Sequence, residues 1–182
     1  YNLHLPFALF VGTLEPRKNI PTLVRAFEEF HKCNNSELHL VIVGKCGWLY
    51  EDIINSIKNS PEKNRIQYLN YIPETELPAI YLLSKFLIYP SLYEGYGVPV
   101  LEAMASGIPV ITSNTSSLRE IAEGAAFLVD PTNIEEIADA MMKLCVNQSF
   151  CDELSKKGLE RIKLFNHKTA ADKVLNIYKQ LF

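Results

Sequence analysis

Short apolar runs rich in β-branched and aromatic residues alternate along this chain with longer stretches of helical periodicity, and few architectures accommodate that order. Strands are expected at 7–11, 38–43, 86–89, 109–112 and 126–129. Helices are expected at 19–33, 98–106, 117–123 and 133–146; in the first, Ile20, Leu23, Val24, Phe27 and Phe30 recur at helical spacing. Strand following helix following strand implies parallel strands joined by right-handed crossovers, hence an α/β fold with a Rossmann-like, doubly wound parallel sheet. Beyond about residue 133 the strands cease and helical segments run on to Phe182, with breaks expected at Lys156-Lys157-Gly158 and Phe165-Asn166-His167, which predicts a helical carboxy-terminal tail. No repeat, low-complexity tract or Gly/Ser linker divides the chain, so residues 1–182 are expected to form one domain.

Composition narrows the function classes. Of 182 residues, 48% are hydrophobic and 21% charged, enough apolar side chain for a sizeable core. A formal net charge of −3 gives no global field to attract nucleic acid. No apolar run approaches the roughly 18 residues that a membrane-spanning helix needs. The opening Tyr1-Asn2-Leu3-His4 shows neither an initiator methionine nor a signal-peptide core, so the chain is read as a fragment, with residues 1–5 the remnant of an interdomain connection. Cys33, Cys46, Cys145 and Cys151 form no CxxC pair, which points to reduced thiols in a cytoplasmic protein. His4, His31, His39 and His167 are scattered, and neither HExxH nor DxD spacing occurs, so no metal is expected and charge must be neutralised by protein groups.

In an open parallel sheet the ligand crevice lies beyond the carboxyl ends of the strands. Gly12, Gly44, Gly95 and Gly97 fall there, after FALFV, HLVIV and FLIYPSLYE. One such glycine is an ordinary turn device; several at one edge let backbone approach a ligand closely. After Gly12, the Arg17-Lys18 pair stands where the 19–33 helix begins, so its charge adds to the helix's positive end. A surface Arg-Lys pair is ordinarily just solvated charge, but this position favours phosphate binding. Glu94 and Glu102 stand eight positions apart around a glycine loop that opens a helix. Glu102 lies in an almost wholly apolar helix, with Val98, Ala105 and Ser106 on its face, where a carboxylate costs free energy unless paired or liganded. Ribose hydroxyls would be suitable partners, at about 1.5–3 kcal/mol per charged hydrogen bond.

VGTLEPRKN, VIVGKCGW, YIPETELPAIY, YPSLYEGYGVPVLEAMASGIPVITS and FLVDPTNIEEIADAM occur in that order and cover nearly the whole chain. Together they make the sequence resemble the family 4 retaining glycosyltransferases, the "glycosyl transferases group 1", whose GT-B fold sets two Rossmann-like domains face to face. The resemblance implies that this is the carboxy-terminal donor-binding domain, with the acceptor-binding amino-terminal domain absent. By the same resemblance, Lys18 and Arg17 would hold the donor diphosphate and Glu94 would contact the hydroxyls of the transferred sugar. Gly95, Tyr96, Gly97 and Val98 would face sugar and phosphate, with Gly12, Thr13 and Gly44 bordering the donor, Glu102 on ribose, and Tyr71 and Ile72 beside the base. Neither a cofactor nor a catalytic metal is implied. The expected partners are a nucleotide diphosphate sugar and, through the missing domain, an acceptor saccharide or lipid-linked glycan, in glycan or polysaccharide biosynthesis. The full-length protein would be cytoplasmic or peripheral at the inner membrane face, and the isolated domain inactive. Many relatives carry arginine where this chain has Thr13, a charge that Arg17 would supply, and Phe165-Asn166-His167 stands where they often read Phe-Ser-Trp.

Other residues invite plainer roles. Trp48, placed after Gly44-Lys45-Cys46-Gly47 where it could border the crevice, is expected rather to pack at a helix start; Glu135-Glu136 is expected to open an exposed helix, and Tyr96, ahead of Tyr93, to line a sugar pocket. A nucleotide-sugar epimerase or phosphorylase of related fold, or a non-catalytic nucleotide-binding module, would share these features.

Overall fold

A computed structural model describes residues 1–165, 171 and 175–179. Six strands, β1 (Phe7–Val11), β2 (His39–Val43), β3 (Ile66–Leu69), β4 (Phe86–Tyr89), β5 (Val110–Ser113) and β6 (Phe127–Val129), form one sheet in the order β3-β2-β1-β4-β5-β6. Every pairing is parallel. The helices are α1 (Ile20–Cys33), α2 (Glu51–Asn59), α3 (Leu77–Leu83), α4 (Val98–Ala105), α5 (Ser116–Ala122), α6 (Ile134–Val146) and α7 (Gln148–Ile162).

The inner strands are buried on both faces, which is why they read as unbroken apolar runs: FALFV in β1 and FLIY in β4 are buried at every position. The predicted limits of those two strands hold to the residue; β2 and β6 start one residue late, and β5 is displaced by one at both ends. Over the sheet α1 packs against α6, and α4 packs against α7. The acidic pair Glu135 and Glu136 lies in the first turn of α6, where the Asn133 side chain accepts a hydrogen bond from the Glu136 amide. The four cysteines are free thiols.

Two expectations are corrected. The segment 156–158 is no break, because α7 runs unbroken through it. Gly158 is there for contact: a Cβ would stand 3.2 Å from the Met104 Cγ, so the glycine lets α7 close on α4, offsetting the roughly 1 kcal/mol that glycine costs a helix. The strand at 66–69 and the helix at 77–83 were not among the expected elements, and the helix start expected at Trp48 is met three residues later, where α2 begins at Glu51. Of the expected break at 165–167, residues 166 and 167 lie outside the described residues, as does part of the tail; α7 ends at Ile162, and residues 171 and 175–179 are helical.

The sheet order places the site. From β1 the chain winds outward through β2 to β3, then returns to lay β4 on the other side of β1 and winds the opposite way to β6. The winding reverses between β1 and β4, so the loops leaving those two strands diverge to opposite faces and leave a crevice at their carboxyl ends.

Candidate functional site

The loop after β1 turns through a single tight helical turn, Pro16–Lys18, and Asn19 then takes a left-handed conformation (φ 60°) before α1 begins. That turn aims Lys18 across the switch point and away from solvent, leaving it 6% exposed. Its Nζ donates to the Glu94 Oε1 at 2.6 Å and to the Tyr89 hydroxyl, and Tyr89 in turn donates to the same Glu94 oxygen at 2.8 Å. Arg17 Nη1 donates to the other oxygen, Oε2, at 2.6 Å. The carboxylate of Glu94, itself 7% exposed, is thus held by two cations and a phenol.

Burial alone would raise the Glu94 carboxyl; hydrogen bonds from Lys18, Tyr89 and Arg17, with the lysine charge, outweigh it and hold the group below the ordinary 4.5. Burial and the adjacent carboxylate push the Tyr89 phenol the other way, so it stays protonated as a donor. The Glu94 main chain is pinned from α5: its amide donates to the Ser116 hydroxyl at 3.2 Å, and the Ser117 hydroxyl donates to its carbonyl at 2.9 Å. Ser116 adopts φ 52° to make this contact, an uncommon conformation for a non-glycine residue. Asn19 ties the β1 loop to two others, donating from Nδ2 to the carbonyls of Pro90 and Pro131.

Beside this cluster lies a cavity of about 550 Å³, lined by Val11, Glu74, Leu77, Pro78, Tyr81, Val98, Pro99, Glu102, Ala105 and Ser106. Glu102 and the face predicted for it therefore line one hollow. The Tyr81 hydroxyl donates to Glu102 Oε2 at 2.8 Å, so the protein already supplies one of the partners that the apolar helix demanded. Gly12 joins the two regions: it follows Val11, and a Cβ on it would lie 3.5 Å from the Lys18 Cε. Gly44 is packed harder still, since a Cβ there would stand 1.9 Å from the Gly12 carbonyl oxygen. The loops after β1 and β2 can approach this closely only because Gly44 lacks a side chain. Gly97 caps α4 with φ 96°, and a Cβ on it would meet Leu118 Cδ2 at 2.6 Å.

Residues 2–161 match the family model described as "Glycosyl transferases group 1". The chain belongs to that family. It is 33% identical over 175 residues to the O-antigen chain mannosyltransferase B of Escherichia coli, covering 96% of this chain and 46% of that protein. Among solved structures, sucrose-phosphate synthase from Thermosynechococcus elongatus superposes with a TM-score of 0.85 at 29% identity, over 97% of this chain and 45% of that one. A UDP-forming alpha,alpha-trehalose-phosphate synthase from Burkholderia vietnamiensis shares the fold, with a TM-score of 0.86 at 16% identity and coverage of 96% and 45%. The chain thus spans less than half the length of each of these proteins.

In this member of the family the fold brings Gly12, Arg17, Lys18 and Glu94 to one place, with Val98 and Glu102 in the adjoining hollow. Thr13, Gly95 and Tyr96 are exposed on the same loops. Tyr71 is exposed under the Lys45 ammonium, which lies 4.4 Å from its ring centroid. Ile72 is buried in the core, which leaves its main chain as the part able to border a ligand. Trp48 does not pack as expected: it is 58% exposed, in a turn before α2, and its indole N–H donates to Glu15 Oε2 at 3.1 Å. Tyr89, Glu15, Asn19 and Ser116 were not singled out from the sequence. A tyrosine ending an apolar strand reads as core, and a glutamate in a polar loop reads as solvated. Among the described residues no helix is long and apolar enough to cross a membrane, and no three His, Cys, Asp or Glu side chains cluster as metal ligands.

Proposed function

We propose that this chain is the donor-binding half of a retaining glycosyltransferase that moves a sugar from a nucleoside diphosphate to an acceptor hydroxyl in glycan or polysaccharide biosynthesis. The observation that carries the proposal is the convergence of Lys18, Arg17 and Glu94 at the switch point of a parallel sheet, beside a hollow that holds Glu102. Lys18 and Arg17 take the donor diphosphate and neutralise the charge that builds on it as the sugar departs, a stabilisation supplied by protein groups without a metal. Once Lys18 turns to phosphate, Glu94 is released to accept hydrogen bonds from the hydroxyls of the transferred sugar. Gly95, Tyr96 and Gly97 present main chain to sugar and phosphate. The cavity takes the nucleoside, with Glu102 on ribose and the main chain at Tyr71 and Ile72 beside the base.

The mannosyltransferase relative supports a role in building a glycan and makes a mannosyl donor the first to try. The acceptor, a saccharide or lipid-linked glycan, is contacted by a second domain outside this chain. Without it the site admits water, and the chain binds nucleotide without transferring sugar. Isothermal titration of the chain with UDP, GDP and ADP tests the donor site: one of them binds below millimolar concentration, and silence from all three at millimolar concentration refutes the assignment.

A further inference from the structure

Glu15 takes no part in the donor contacts, yet its carboxylate on the rim of the site is held at both oxygens. Its Oε1 pairs with the Arg17 Nη2 at 2.5 Å, and its Oε2 accepts the Trp48 indole N–H at 3.1 Å. Its side chain is 12% exposed, whereas Arg17 remains 40% exposed and open to solvent. Gly47 seals the arrangement from behind, since a Cβ there would lie 2.7 Å from the Thr13 Cγ2 and 3.5 Å from the Glu15 Cβ. The loop after β2 is thereby fastened to the loop after β1 at one carboxylate.

The charges at the switch point cancel: Arg17 and Lys18 are met by Glu15 and Glu94. Lys18 is freed by Glu94, which gains sugar hydroxyls in exchange. Arg17 has both sides of its fork engaged, one nitrogen by Glu94 and the other by Glu15. Nη1 also donates to the Tyr93 carbonyl at 3.3 Å, so a diphosphate that binds across both terminal nitrogens, the bidentate contact for which a guanidinium is suited, competes with these carboxylates for the fork. Glu15 receives nothing from the ligand in return, since it faces Trp48 and the loop after β2.

We propose that Glu15 is an affinity-setting positioning residue, a built-in competitor that holds the Arg17 fork until a diphosphate displaces it and, in leaving, releases the Trp48 indole. The proposal rests on the donor-site assignment. It gives Glu15 a role opposite to that of a merely structural residue, because deleting its charge improves binding. It also gives a spectroscopic signal, because Trp48 is the only tryptophan in the chain.

The test compares the chain with its Glu15→Gln variant, an isosteric change at a rim position. Dissociation constants are measured by calorimetry for UDP, GDP, ADP and the parent nucleosides, and Trp48 emission of the unmodified chain is followed as inorganic pyrophosphate is added. We expect Glu15→Gln to bind the preferred nucleoside diphosphate about fivefold more tightly, the size of a half-exposed ion pair, with affinity for the nucleoside unchanged. Pyrophosphate is expected to shift Trp48 emission in the unmodified chain. If the unmodified chain binds a nucleoside diphosphate and Glu15→Gln binds it equally or more weakly, Glu15 is no competitor and this inference falls while the donor site stands. If neither protein binds any of the three diphosphates, the donor-site assignment falls and takes the role of Glu15 with it.

Discussion

Glu94→Gln is the most informative single perturbation, because it separates a carboxylate that holds the ligand-free protein together from one merely stored for a ligand. The side chain keeps its shape, but the Lys18 and Arg17 pairs lose their anion. Arg17, 40% exposed, is screened by water, and its pair contributes at most about 1 kcal/mol. Lys18 is different: with 7% side-chain exposure it becomes a buried cation without a counter-charge, and breaking such a pair from one side costs about 3–5 kcal/mol. The glutamine carbonyl still accepts one hydrogen bond, from Lys18 or from Tyr89, which returns part of this. The net expectation is a loss of about 3 kcal/mol, or a melting temperature lower by about 6–12 °C for a chain of this size. Urea denaturation followed by far-ultraviolet circular dichroism at pH 7 measures it. The double variant Lys18→Met with Glu94→Gln is expected to recover about 2 kcal/mol, since it removes the orphaned charge. If Glu94→Gln is as stable as the parent, or more so, the closed cluster contributes nothing and the energetic account of the site is wrong.

Two further outcomes follow from the same geometry. Gly44→Ala drives a Cβ into a main-chain oxygen that no rotamer change can move, so it is expected to cost more than about 3 kcal/mol, while Gly95→Ala, with nothing within 4 Å, is expected to stay within about 0.5 kcal/mol of the parent; parallel urea titrations compare them. Because Glu94 is held below its ordinary 4.5, its contribution to stability is fully present above that pH and is lost as the pH falls below it through the folded-state value. The urea midpoint of the parent should therefore fall more steeply than that of Glu94→Gln between pH 4.5 and pH 3, and parallel curves would contradict the pairing.

What was legible in the sequence tracks how strongly burial marks a segment. β1 and β4 lie inside the sheet, covered on both faces, and their runs of apolar residues leave little choice of limits. β3 is an edge strand of four residues in which Gln67, Tyr68 and Leu69 are only half-buried, so the period that would announce it is too short and too polar to stand out. The glycines after β1, β2 and β4 were visible as residues at strand ends, but the contact between Gly12 and Gly44 requires knowing that β1 and β2 are neighbours. Lys18 and Glu94 are 76 positions apart, and nothing local in either segment says that one neutralises the other. That pairing is a product of topology: the reversal of winding between β1 and β4 sets the two loops against each other. Trp48 misled for a similar reason, since its indole hydrogen bond to Glu15 crosses between two loops and leaves the ring exposed where packing was expected.

The most direct measurement is a crystal structure of this chain with a nucleoside diphosphate sugar bound. The account predicts diphosphate oxygens on Lys18 Nζ and the Arg17 fork, ribose against Glu102 in the hollow beside α4, and a Glu94 carboxylate turned from Lys18 to the sugar. A nucleotide seated away from the carboxyl ends of β1 and β4, or one bound there with the Lys18–Glu94 pair still closed, would contradict it.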